Sequence, residues 1–161
     1  MTTDINLSQT GRNSLVLLRI LIGWHFLYEG VLKLYNPAWT SKAYLSSAEL
    51  LTPLFQWLSG DGMIHLVDNL NIFCLMVVGL SLLLGYFERI GSVFGIFLLL
   101  MYYLAHPALP SASQAGTEGS YWIINKNLIE AAALFVLYQM PTGTCFGLQS
   151  LKKNSLNPKT K

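Results

Sequence analysis

The sequence predicts an all-α integral membrane protein, a four-helix bundle, and three observations carry that expectation. First, 53% of the 161 residues are hydrophobic and only 11% are charged, where ordinary soluble chains carry about a quarter. Second, the mean hydropathy is +0.46, and the apolar residues gather in four segments close to the roughly 20 residues that cross a bilayer core. Third, no period-two alternation runs long enough for a membrane barrel. The expected division is a cytoplasmic tail over 1–14, a membrane domain over 15–141, and a basic cytoplasmic tail over 142–161.

The first span covers about Leu15–Tyr35. It is too long and too charged for a signal-peptide core, and no small-x-small cleavage site follows it, so it is expected to stay as a helix. A long connection follows, with an amphipathic stretch at Ala43–Leu58 expected to form a short outer helix, broken by Ser59-Gly60-Asp61-Gly62. The second span is about Val67–Tyr86. The tight link Gly85–Arg89 makes it an antiparallel neighbour of the third, about Ile90–Ala105, whose Gly91 and Gly95 permit close packing. The loop Pro107–Ser120, rich in Pro, Ser, Ala and Gly, is expected to be mobile or ordered by a partner. The fourth span, about Trp122–Met140, stops at Pro141, which cannot continue a helix.

Orientation follows from the basic residues. Arg12, Arg89, Lys152, Lys153, Lys159 and Lys161 fall on one side of this topology, whereas the opposite loops hold little beyond Lys42. The positive-inside rule therefore places both termini in the cytoplasm. Tyr35, Trp39, Trp57, Tyr102, Tyr103, Tyr121 and Trp122 would then form an outer aromatic belt. A net charge of +2 gives no argument for a nucleic-acid partner; the expected partner is the lipid bilayer. Cys74 and Cys145 belong to no C-x-x-C or metal-ligand pattern and read as small apolar residues.

The most informative feature is a polar stripe inside the first span. At about 100° per residue, Arg19, His25, Glu29 and Lys33 fit an arc of roughly 120°. An ionised side chain at mid-bilayer costs about 2.5–3.5 kcal/mol on insertion scales, so such a stripe needs partners or water. Other spans supply candidates: His65, Asp68 and Asn71 at the entry of the second, His106 at the end of the third, and Lys126, Asn127 and Glu130 in the fourth. All but Arg19 lie toward one membrane face, around an outward-opening cavity. Lys33 and Lys126 also fit interfacial anchors, His65 and Asp68 a solvated loop end, His106 a helix cap, and Arg19 a structural ion pair. Glu29 and Glu130 lie deeper in the apolar slab and are the harder pair to explain without a function. The constellation suits an anion, a quinone head group or a proton relay equally well. With neither H-x-x-x-H nor Glu-x-x-His present, a metal or haem is not the expected occupant.

The run Leu18–Leu34 (LRILIGWHFLYEGVLKL) resembles the first span of the DoxX/DoxD family, in which an Arg, a Gly-Trp or similar pair and a G-x-x-K-L ending recur. Gly79–Gly91 resembles that family's second-to-third turn, and Trp122–Leu134, with Asn125 to Glu130, its last span. The resemblance covers most of Ser14–Pro141 and implies a four-span protein of the bacterial inner membrane. Its better-studied relatives are associated with redox complexes, including the small subunit of a thiosulfate:quinone oxidoreductase. The matching positions are Arg19, Gly23, Glu29, Lys33, Asn127 and Glu130. The chain has no flavin or dinucleotide fingerprint, no iron–sulfur pattern and no redox Cys pair. The expectation is therefore an accessory or quinone-interacting subunit working with an oxidoreductase partner. The alternatives are an oligomeric transporter or proton-coupled permease for a small anion, and a membrane anchor for a partner protein.

Overall fold

The computed structural model describes residues 8–109 and 120–150. In chain order these form α1 (Gln9–Leu34), α2 (Lys42–Ser46), α3 (Thr52–Leu58), α4 (Ile64–Leu84), α5 (Glu88–Ala105), the short strands β1 (Ser120–Tyr121) and β2 (Ile124–Asn125), and α6 (Lys126–Gln139). The fold is all-α apart from that two-residue-a-side hairpin. Among the described residues, α1, α4 and α5 are long and apolar enough to cross a membrane. At about 1.5 Å per residue, the 14 residues of α6 reach only ~21 Å, short of a hydrocarbon core of about 30 Å.

The boundaries differ from the sequence expectation where side chains redirect the backbone. Helix α1 starts at Gln9, ahead of the expected span start at Leu15, because the Ser8 hydroxyl caps the Gly11 amide. The single outer helix at Ala43–Leu58 is two helices: Leu51 sits in the left-handed region at φ 51°, and Pro53 opens α3. The fourth helix begins four residues later than Trp122. Residues 120–125 form the hairpin instead, and the Asn125 side chain caps α6 by accepting from the Leu128 amide. The expectation for the loop 107–120 falls mainly on 110–119, outside the described residues, as do 151–161 of the C-terminal tail.

The four longer helices form a ring in which α1 packs on α4, α4 on α5, and α5 on α6; α1 and α6 touch only sparsely. The outer surface is apolar: Leu17, Leu21, Trp24 and Leu32 on α1, Phe73 on α4, Phe97 on α5 and Phe135 on α6 are all well exposed. Such a surface suits lipid, and lipid removes the hydrophobic drive between helices, leaving close packing to hold them. The α1–α4 crossing shows this. A Cβ on Gly79 would lie 2.5 Å from the Leu27 amide nitrogen, so only glycine allows that approach. Phe26, Leu75, Val78, Leu82, Leu98, Leu134 and Leu137 fill the centre. A second cluster, Leu45, Ala48, Phe55, Ile64 and Ala105, seats α2 and α3 over one end of α4 and α5.

The opposite end, which holds both described termini, is closed by buried polar groups. Gly85 (φ 62°) and Phe87 (φ 55°) turn the chain sharply between α4 and α5, so Glu88 folds inward and is 1% exposed. Its carboxylate accepts from the Thr142 and Gly143 amides at 2.9 and 2.8 Å and lies 3.5 Å from the Arg19 guanidinium. Arg19 in turn donates to Thr142 Oγ1 (3.0 Å) and to the Phe146 carbonyl (2.6 Å). Thr142, Gly143 and Phe146, just after Pro141, are therefore tied into the bundle. Cys145 lies exposed beside them and receives an Arg12 N–H at 3.5 Å; Cys74 is half-buried.

Candidate functional site

The other end of the ring holds a half-open cavity of about 300 Å³, at the small end of ligand pockets. Helical periodicity builds its first wall: His25, Glu29 and Lys33 recur every four residues along α1 and so point the same way. The linker after α1 adds Trp39, Thr40 and Ser41, and α2 adds Tyr44. Asn71 of α4, Leu99 and Tyr102 of α5, and Lys126 and Asn127 in the first turn of α6 complete the lining.

Two ion pairs organise these groups. Lys33 Nζ donates to Glu29 Oε2 at 2.8 Å and lies 5.4 Å from the centre of the Trp39 ring, a cation–π distance. His25 Nδ1 and Glu130 Oε1 share a hydrogen bond of 2.7 Å across the α1–α6 gap. Lys126 has no carboxylate within 4 Å among the described residues, so it is the cavity's uncommitted cation.

The far wall is aromatic. Tyr44 and Tyr102 meet edge to face at 6.3 Å, and the Tyr44 hydroxyl donates to the Tyr102 carbonyl at 2.9 Å. Burial, with the Tyr102 phenol nearby, pushes the Tyr44 phenol up to about 12, so it stays protonated and remains a donor. Asn71 Nδ2 donates to the Tyr102 hydroxyl at 2.5 Å, while Asn71 Oδ1 is buried with no hydrogen-bond partner among the described residues.

The sequence candidates divide accordingly. His25, Glu29, Lys33, Asn71, Lys126 and Asn127 line the cavity, and Glu130 stands behind His25. Asp68 supports the wall by accepting from the Ser41 amide (2.9 Å) and hydroxyl (2.5 Å). His106 bonds the Tyr44 carbonyl at 2.9 Å, and its ring packs at a tilt of 59° against the Tyr44 ring. His65 is exposed and lies outside the lining. Arg19 does not fix the cavity carboxylates: it is six residues before His25, about 9 Å along the axis, and is committed to Glu88 at the other end. No cluster of three metal-ligating side chains forms among the described residues.

Sequence reasoning missed Tyr44, and read Trp39 and Tyr102 as interface aromatics and Glu88 as part of a turn. The available signals were an arginine needing a buried partner and an acid opening a helix just after a glycine turn. A family model described as DoxX matches residues 14–107, more than half of the chain. No curated protein and no solved structure matches it.

Proposed function

The chain belongs to the DoxX family, a membrane family, and on that premise we propose that it is a small accessory subunit of a redox system that binds a quinone head group in this cavity. The carrying observation is the combination of paired charges with an aromatic wall and one unsatisfied acceptor. A quinone is planar, carries two carbonyl acceptors, and becomes a two-donor quinol on reduction. Lys126 and Lys33 are placed to donate to carbonyl oxygens, Tyr44 and Trp39 offer faces for the ring, and Asn71 Oδ1 can accept a quinol hydroxyl. Reduction consumes two electrons and two protons. The electrons would come from an oxidoreductase partner, since the chain carries no redox motif of its own; His25 with Glu130 would hand on one proton and the Lys126 ammonium the other, both replenished from the aqueous side of the cavity.

In this reading the protein lies in a bacterial inner membrane, multi-pass, with both termini cytoplasmic and the cavity toward the periplasm. A second reading, binding or transport of a small anion by an oligomer, is favoured by the uncommitted Lys126. Purification in native lipid discs, with mass spectrometry of everything retained, separates the two. The redox reading expects a quinone or a stoichiometric oxidoreductase, and less retained quinone with Glu130→Gln. A protein free of both that moves a labelled anion in proteoliposomes would replace it with transport.

A further inference from the structure

We propose that the α1–α6 seam is the doorway through which a membrane-dissolved ligand reaches the cavity, with the His25–Glu130 pair as its latch. This rests on the quinone reading of the cavity and adds where the ligand's tail lies. Three observations place the doorway here. The other neighbouring helices of the ring are closely packed, and α1 and α4 approach as near as glycine allows, whereas α1 and α6 touch sparsely. Among the described residues the seam is bridged by one polar contact, the 2.7 Å bond between His25 and Glu130. The residues beside that bond belong both to the cavity and to the lipid-facing surface.

The last point follows from helix geometry. On an ideal helix Glu29 lies about 40° to one side of His25, while Leu32 and Leu21 lie roughly 20° and 40° to the other. Glu29 lines the cavity, whereas Leu32 and Leu21 are 49% and 58% exposed on the apolar outer surface. His25 therefore stands on the boundary, and its side chain is 44% accessible. On α6, Lys126 lines the cavity and Ile129, about 60° away on the same helix, is exposed on the apolar surface. A polar head among Lys126, Glu29 and Asn71 would have its apolar tail leave past Leu32 and Ile129, with no charged group to cross except the latch. The ligand class is thus an amphiphile with a compact planar polar head and a hydrocarbon tail, drawn from the bilayer and not from the aqueous phase.

The test uses the full chain in lipid discs and two probes: a decyl-tailed benzoquinone with a photoreactive diazirine on the tail, and tail-less benzoquinone. Photolabelling is mapped by peptide mass spectrometry, and association of each probe is followed by tryptophan fluorescence. Labels on peptides holding Leu21, Leu32 or Ile129, competed by unlabelled decyl-benzoquinone, support the doorway. So does Leu32→Trp, a seam plug on the lipid side, if it slows the tailed probe by about tenfold and leaves the tail-less one unchanged. Labels confined to Trp39–Tyr44, or equal effects of Leu32→Trp on both probes, overturn it while leaving the quinone site standing. If neither probe binds, the quinone reading fails, and the doorway with it.

Discussion

Arg19 and Glu29 are both ionisable residues in one apolar helix, yet their surroundings give them different work. Arg19 is 2% exposed and meets a carboxylate, a hydroxyl and a carbonyl, all fixed by the turn at Gly85 and the segment after Pro141. That is a structural clasp. Removing one member of a buried pair strands the other, which typically costs about 3–5 kcal/mol. Arg19→Ala is therefore expected to lower the thermal unfolding midpoint strongly in detergent, followed by circular dichroism, because Glu88 keeps its burial and loses its cation. Glu29 instead faces the cavity, paired with Lys33 at 2.8 Å. Glu29→Gln keeps the shape and one acceptor, so it should change ligand binding far more than the unfolding midpoint. An equal drop in both would place Glu29 with the clasp.

At the scale of elements, the helices were legible because the apolar runs are long, and the places where expectation failed have local causes. The break between α2 and α3 depends on Leu51 adopting φ 51°, a conformation that no hydropathy pattern reports. The late start of α6 depends on the Asn125 cap and on Tyr103, whose hydroxyl donates to the Ile123 carbonyl at 2.8 Å and ties the hairpin to α5. Helix contact was legible only in part: Gly91 and Gly95 advertised a small-residue face, but the tighter crossing is at Gly79. Gly79→Ala should push α1 off α4 and cost about 1–3 kcal/mol by overpacking, whereas a Cβ on Gly62 meets nothing within 4 Å and Gly62→Ala should be near neutral. Matched thermal melts of the two variants decide the point. The cap over the cavity has its own titration. The Tyr44 phenol is neutral in folded and unfolded chains below about pH 10, and its folded value is raised to about 12. The unfolded chain therefore ionises first, and stability should fall as pH rises from 10 towards 12. Tyr44→Phe should remove that part of the alkaline loss, measured as the unfolding midpoint against pH.

For the whole molecule, the polar groups sort to the two ends of an apolar ring, and the ends do different things. The clasp end binds the chain's own C-terminal segment; the other end holds paired charges around open space. The stripe His25, Glu29, Lys33 was readable from its four-residue spacing, and Asn71, Lys126 and Asn127 from their depth in the topology. Tyr44 and Tyr102 were not, because they reach the cavity through tertiary packing and look like ordinary interface aromatics in the sequence. Glu88 was hidden for the same reason, its partners lying more than fifty residues away in the chain. Whether the open end binds a quinone head group is decided by an equilibrium titration of decyl-benzoquinone into the protein in lipid discs, alongside Glu130→Gln and Lys33→Met. Saturable one-to-one binding by the wild type is expected, weakened about tenfold in each variant by the loss of a charge-assisted hydrogen bond. Non-saturable uptake, identical in all three folded proteins, would contradict it.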